Sequence, residues 1–243
     1  MHGAAGNYHQ LGVIAEEQWD FVTAREWYLK SLSIDEGCGN LLGLARTYHQ
    51  LGMIAQKQRD FATAQKSYLK SLAISEKEGI LHGAARTYAQ LGTIAQEQRN
   101  FAVALELLLK SLAIEEKQGN LHGTAGIYHQ LGRIAEDQWD FVTAREWYLK
   151  SLAITEKQGN LHDAAGTYNQ LGKIAWHQGH FEDSGRWLIR SYSTFLQTRD
   201  QRLAEQARKN FLTICQGAPP TDQQKLEAIW QEAGLGPFPP PTA

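Results

Sequence analysis

The groups in this 243-residue chain that could do chemistry are nine histidines, two cysteines, and 26 acidic against 24 basic residues. Histidines recur in two registers, His2, His82, His122 and His162 in one and His9, His49 and His129 in the other. His2 and His9, like His122 and His129, stand seven residues apart. On a helix that is two turns, about 10 Å along the axis, too far for both to ligate one metal ion. No His-Glu-x-x-His, no Gly-x-Ser-x-Gly and no zinc-type cysteine pair occurs. Gly37-x-Gly39-x-x-x-Gly43 misses the dinucleotide-binding spacing by one residue. Gly172-Lys173-Ile174 lacks both the hydroxyl and the upstream glycine of a phosphate loop. The sequence therefore predicts no catalytic residues, no metal, no cofactor and no enzymatic role. The histidines read as copied surface or groove positions.

What remains is recognition by a surface, and charge narrows the partner. A net charge of -2 does not supply the excess of Lys and Arg that tracks phosphates, so nucleic acid is not an expected partner. No run of about 18 apolar residues occurs, so no membrane span is expected. Met1-His2-Gly3 leads into polar periodic sequence rather than a signal peptide. Cys38 and Cys215 make no disulfide framework and fit free thiols in a reducing compartment. The expected location is cytoplasmic.

Any recognition surface must be built by a framework, and this framework is repetitive. Shifted by forty residues, Tyr8 falls on Tyr48, Tyr88, Tyr128 and Tyr168. Leu11-Gly12 falls on Leu51-Gly52, Leu91-Gly92, Leu131-Gly132 and Leu171-Gly172, and Phe21 on Phe61, Phe101, Phe141 and Phe181. Five units follow without insertion: 1-40, 41-80, 81-120, 121-160 and 161-200. Residues 12-34 and 132-154 differ only at Val13/Arg133, Glu17/Asp137 and Ser33/Ala153, the mark of recent duplication or of an engineered array. A fixed period of this length indicates stacked supersecondary units.

Each unit reads as two helices. In the first, Ala4, Ala5, Tyr8, Leu11 and Ala15 recur at three- and four-residue spacing. The second opens after Asp20, Asp60, Asn100 or Asp140, whose side chains can accept from free first-turn amides. It is expected to bury Phe21, Ala24, Tyr28, Leu32 and Ile34, and to stop at Gly39, Gly79, Gly119 or Gly159. Asn40, Asn120 and Asn160 can then cap the next helix. The Gly12-type glycine lies mid-helix, where glycine costs about 1 kcal/mol, and predicts close approach of the paired helix. No proline precedes Pro219, and Pro219-Pro220 mark where the array has ended. Residues 201-235 are expected to form capping helices, and 236-243 a flexible proline-rich tail.

Tyr8, Leu11-Gly12, Phe21, Ala24 and Tyr28, repeated every forty residues, resemble the tetratricopeptide repeat (TPR). The longer period is similar to the extended repeats of kinesin light chains and large signalling proteins. Departures are Ala15 for the second aromatic, Ser31 for the small residue late in the second helix, and Glu36 for the closing proline. The resemblance implies an all-α, right-handed α-solenoid of five helix pairs whose first helices line a concave groove. It further implies a non-enzymatic scaffold that binds a peptide or helix of a partner protein in that groove.

Carried onto this chain, the groove positions are His9, His49, His129 and Asn169, beside an unbroken ladder of Gln10, Gln50, Gln90, Gln130 and Gln170. The ladder suits either an extended peptide backbone or hydrogen bonds between repeats. Val13, Met53, Thr93, Arg133 and Lys173 form the most varied column, as a specific ligand would require. Arg46 and Arg86 are placed to hold an acidic residue of the ligand. Glu16, Gln56, Gln96, Glu136 and Trp176 lie further along the same face.

Trp19, Trp27, Trp139, Trp147 and Trp187 stand where other units carry Arg, Ser or Leu. They mark a convex interface or self-association surface, or else fold over neighbouring Lys and Arg stems. Because the array starts inside a unit, the chain is expected to be a fragment of a longer protein or to dock its N-terminal face. The alternative function is a sensor or oligomerisation module of a larger signalling ATPase or protease.

Overall fold

A computed structural model describes residues 2–238. Among the described residues there are twelve α-helices and no strand. They divide into two compact units, Met1–Asn120 and Leu121–Ala243.

The first unit holds three helix pairs: α1 (His2–Glu17) with α2 (Phe21–Cys38), α3 (Leu41–Lys57) with α4 (Phe61–Lys77), and α5 (Leu81–Glu97) with α6 (Phe101–Gln118). Each pair packs on the next through α2 against α3 and α4 against α5, and α3 touches both α1 and α5. The expected caps form. Asp20, Asp60 and Asn100 accept from the amides of Thr23, Thr63 and Val103. Gly39, Gly79 and Gly119 take the left-handed backbone, with φ of 65–68°.

The mid-helix glycines have a specific neighbour. A Cβ on Gly12 or Gly52 would stand 2.6 Å from the ring of Tyr28 or Tyr68, both fully buried. So the close approach is of a buried ring against the first helix. The late-helix serines explain a departure from the usual pattern. Ser31, Ser71 and Ser111 donate to the carbonyls of Ala5, Ala45 and Ala85 at 2.8–2.9 Å, tying the two helices of each pair together. The buried face of the second helix is thus Ala24, Tyr28, Ser31 and Asp35, at steps of four, three and four. Leu32 and Ile34, expected on that face, are only half-buried.

The second unit holds α7 (Leu121–Asp137) with α8 (Phe141–Lys157) and α9 (Leu161–His177) with α10 (Phe181–Gln197). It is closed by α11 (Gln201–Gly217) and α12 (Pro220–Glu232), both packed on α10. Their core joins Leu188, Phe211, Leu226 and Trp230, all at most 3% exposed. Within the segment assigned above to a flexible tail, Gly236 accepts from Trp230 Nε1 at 3.1 Å. Phe238 meets Trp230 edge-on at 5.9 Å. Residues 239–243 lie outside the described residues.

Candidate functional site

In the first unit the structure brings together seven residues named above. His9, Gln10, Val13, Arg46, His49, Gln50 and Arg86 line one pocket of about 300 Å³. Three consecutive first helices supply them, and the forty-residue period puts equivalent side chains on adjacent helices. Ser71 and Ser75 of α4, with Ile80 and Gly83 at the start of α5, complete the wall. Met53 packs instead against the core, and Thr93 donates to its own helix at the Ala89 carbonyl.

The histidines of this wall are held neutral. His9 and His49 lie over the rings of Tyr28 and Tyr68, at 5.2 and 5.3 Å between centroids. Burial, assisted by Arg86, lowers His49 to about 4, and burial with Arg46 lowers His9. Hydrogen bonding fixes the tautomer of His49. Thr87 Oγ1 donates to the Gly83 carbonyl, so its contact with His49 Nδ1 at 3.1 Å makes the imidazole the donor there. His49 Nε2 is therefore an acceptor.

The residues further along the face are structural. Tyr28 donates to Glu16 at 3.0 Å and Tyr68 to Gln56 at 2.9 Å. Lys57 pairs with Glu16 at 2.8 Å, and Gln50 Nε2 reaches Tyr28 Oη at 3.3 Å. Burial and the adjacent Glu16 carboxylate hold the Tyr28 phenol well above its usual range. For Gln50, then, the ladder links repeats. Arg46 and Arg86 have no ion pair or hydrogen bond among the described residues, and both are exposed.

In the second unit the same registers are partly taken up. Asn169 accepts from Asn210 Nδ2 of α11 at 2.8 Å. Trp176 meets Phe181 edge-on at 5.0 Å. His129 lies over Tyr148 at 5.1 Å and is lowered to about 4 by burial and by Arg133. Gln130 Oε1 and Gln170 Oε1 are buried without a partner among the described residues. Lys173 is half-buried, and Gln90 in the first unit likewise.

The tryptophans separate into two groups. Trp27, Trp147 and Trp187 stack on Tyr8, Tyr128 and Tyr168 at 5.4–5.7 Å. Lys30, Lys150 and Arg190 cover their rings at 4.1, 4.1 and 5.3 Å. Trp19 and Trp139 are 75% and 72% exposed, at positive φ in the turn between paired helices.

Two features escaped the sequence reading. One is the buried column Asp35, Ser75, Glu115, Thr155 and Phe195, as varied as the Val13 column. Its signal was the four-three-four spacing from Ala24. The other is the left-handed turn at Trp19, Arg59, Arg99 and Trp139, announced by Gly179 at the same register. Cys215 is buried, and its thiol is pushed up to about 12. Among the described residues no cluster of His, Cys, Asp and Glu could hold a metal ion, and no helix is long and apolar enough to cross a membrane.

No curated protein matches this sequence. Several solved structures share its fold. BtubC (BKLC) from P. vanneervenii is 17% identical with a TM-score of 0.69, over 97% of this chain and 95% of that one. A Rap protein complexed with Competence and Sporulation Factor is 15% identical with a TM-score of 0.75, over 94% of this chain and 64% of that one. A signal transduction ATPase with numerous domains (STAND), with a tetratricopeptide repeat sensor, from Pyrococcus horikoshii is 18% identical with a TM-score of 0.73, over 95% of this chain and 39% of that one. The family match covers residues 3–77, 43–117 and 83–157 in three overlapping arrays. With the helix pairs, the ring-against-glycine contacts and these matches in agreement, the chain belongs to the tetratricopeptide repeat family.

Proposed function

We propose that this chain is a non-enzymatic protein-interaction module, and that the face formed by α1, α3 and α5 binds a peptide or helix of a partner protein. One observation carries the reading. Along that face Arg46 and Arg86 are exposed and without partners among the described residues, and they line a pocket with two neutral histidines. Surfaces of paired charge are spent on the fold; this one is not. The Rap protein solved with Competence and Sporulation Factor shares the fold and is consistent with the reading. A peptide-display selection against the whole chain tests it. Enriched peptides should bind wild type and lose at least tenfold in affinity to Arg46→Glu/Arg86→Glu; unchanged binding would sink the assignment.

A second reading, a sensor or oligomerisation module of a larger signalling ATPase or protease, is favoured by the STAND protein, of which this chain spans 39%. A cytoplasmic location belongs to both readings. Trp19 and Trp139 extend them to contact with another surface, including a second copy, since neither ring is enclosed. Sedimentation velocity across a wide concentration range decides that point: association that disappears in Trp19→Arg/Trp139→Arg supports it, and a monomer throughout removes it.

A further inference from the structure

Two pockets of the first unit are one pocket repeated forty residues on, and they differ in charge and capping: Gly6, Asp35 and Asn40 of the earlier are Arg46, Ser75 and Ile80 in the later. The earlier, of about 220 Å³, contains Asp35, Asn40, Gly43 and Arg46. The later, of about 300 Å³, contains Ser75, Ile80, Gly83 and Arg86 at the corresponding positions. In the earlier pocket the Asp35 side chain is buried and Asn40 Nδ2 donates to it at 2.7 Å. Asn40 Oδ1 in turn accepts from the Gly43 amide in the first turn of α3. The third repeat repeats the device: buried Glu115 accepts from Asn120 Nδ2 at 2.7 Å.

The second repeat has neither part. Ser75 is 1% exposed and its Oγ has no hydrogen-bond partner among the described residues. Ile80 caps α5 without a side-chain bond to the first-turn amides. A register that encloses a carboxylate in the repeats on either side here encloses an unpartnered hydroxyl. Arg46 and Arg86 line the same pocket, and no acidic residue does. A buried hydroxyl without a partner costs about 1–3 kcal/mol, and an arginine fork is built for a planar carboxylate.

We infer that this pocket takes a carboxylate from the bound partner, the side chain of a glutamate or aspartate. That group supplies from outside the charge which Asp35 and Glu115 supply from within the chain. The inference rests on the groove reading above and names its anchor. Ser75 Oγ–H and the two guanidinium groups donate to the anion, and the first turn of α5 presents the partial positive charge of a helix N-terminus.

The test uses N-acetylglutamate amide as probe, with N-acetylglutamine amide and N-acetylphosphoserine amide beside it, read by backbone amide resonances of the full chain. The glutamate probe should shift the Ser75 and Gly83 amides saturably, the glutamine probe should not, and Arg86→Gln should weaken binding tenfold or more. Ser75→Asp/Ile80→Asn rebuilds the earlier pocket in the later position. It should fold at least as stably as wild type and lose the glutamate response. Equal responses to the glutamate and glutamine probes, or full binding by the rebuilt variant, would overturn the inference. A phosphoserine probe bound more than tenfold tighter would overturn the carboxylate in favour of a phosphorylated side chain. Display-selected groove peptides without an acidic anchor would defeat this inference and leave the groove reading standing. A saturable glutamate response with no peptide enriched would do the reverse.

Discussion

Arg46 and Arg86 in the first unit and Asn169 and Trp176 in the second sit on first helices of the same repeat, yet they meet different fates. The arginines line pockets and bond to nothing among the described residues. Asn169 is bonded to Asn210 of the capping helix, and Trp176 lies so near Gly217 that a Cβ there would stand 2.7 Å from its ring. Both units rest on the same buried apparatus of glycine, ring, serine and cap. What differs is what side chains on the first helices meet. In the second unit Asn169 and Trp176 are drawn into contact with α11, whereas in the first Arg46 and Arg86 stay exposed. A repeat array thus separates the residues that hold it up from those that can be spent on recognition.

The claim of a common core is the easiest to break. Gly52→Ala in the first unit and Gly132→Ala in the second should each destabilise by about 3 kcal/mol, because the new methyl meets a buried ring at 2.6 and 2.7 Å. Gly92→Ala should cost about 1 kcal/mol, since its neighbour is the Leu108 side chain at 3.0 Å, which can turn aside. Urea midpoints for the three variants check the order. If Gly92→Ala proved as damaging as Gly52→Ala, the ring would not be the cause.

Acid sensitivity follows in size and should also be shared. His49 and His129 are lowered from 6.5 to about 4, chiefly by burial. As pH falls below 6.5 the unfolded chain takes up the proton first, so stability falls with pH until the folded-state value near 4 is passed. Each histidine should remove about 2 kcal/mol between pH 7 and pH 5. Comparing urea midpoints at the two pH values for wild type, His49→Asn and His129→Asn gives the contribution of each unit. A pH difference untouched by His49→Asn would show that its imidazole is not held neutral.

The cap contact is smaller. Asn210→Ala removes one side-chain hydrogen bond and should cost about 1 kcal/mol. Its effect on the first unit's binding of selected peptides should be nil, and a loss there would end the division of roles between the two faces.

Much of this was legible because it is local. Period, helix boundaries, N-caps and the Gly39-type stops depend on a residue and its near neighbours, and the chain prints them four or five times. The contacts that decide function depend on residues far apart in sequence. That Glu16 answers the Tyr28 hydroxyl, and that Gln50 joins them from the next repeat, is invisible until helices are stacked. The Asp35–Ser75–Glu115 column was within reach, since its spacing from Ala24 is helical. Its polar residues concealed it, because burial is ordinarily read from apolar side chains.

The smallest effect concerns the turn that presents Trp19 and Trp139. Four residues with side chains, Trp19, Arg59, Arg99 and Trp139, hold φ of 58–62° there, and Gly179 holds 77° at the same register. Such a backbone costs a non-glycine residue about 1 kcal/mol, and glycine returns part of that through its freer unfolded chain. Within the second unit Arg199 holds the same left-handed backbone at the register of Gly39 and Gly159, so Arg199→Gly should raise stability by about 0.5 kcal/mol, and Gly179→Ala, in the turn between paired helices, should lower it by about as much. Arg59→Gly should be near neutral, because the guanidinium it removes lies 5.8 Å from the Phe61 ring. Thermal unfolding of the three variants reads the signs. Opposite signs for Arg199→Gly and Gly179→Ala would establish that a left-handed turn in this array is strained wherever it carries a side chain. Tryptophan at that turn, exposed and dispensable to the helix pair, is then kept for contact with something else. Equal signs would remove the strain, and with it this ground for treating Trp19 and Trp139 as a surface for contact.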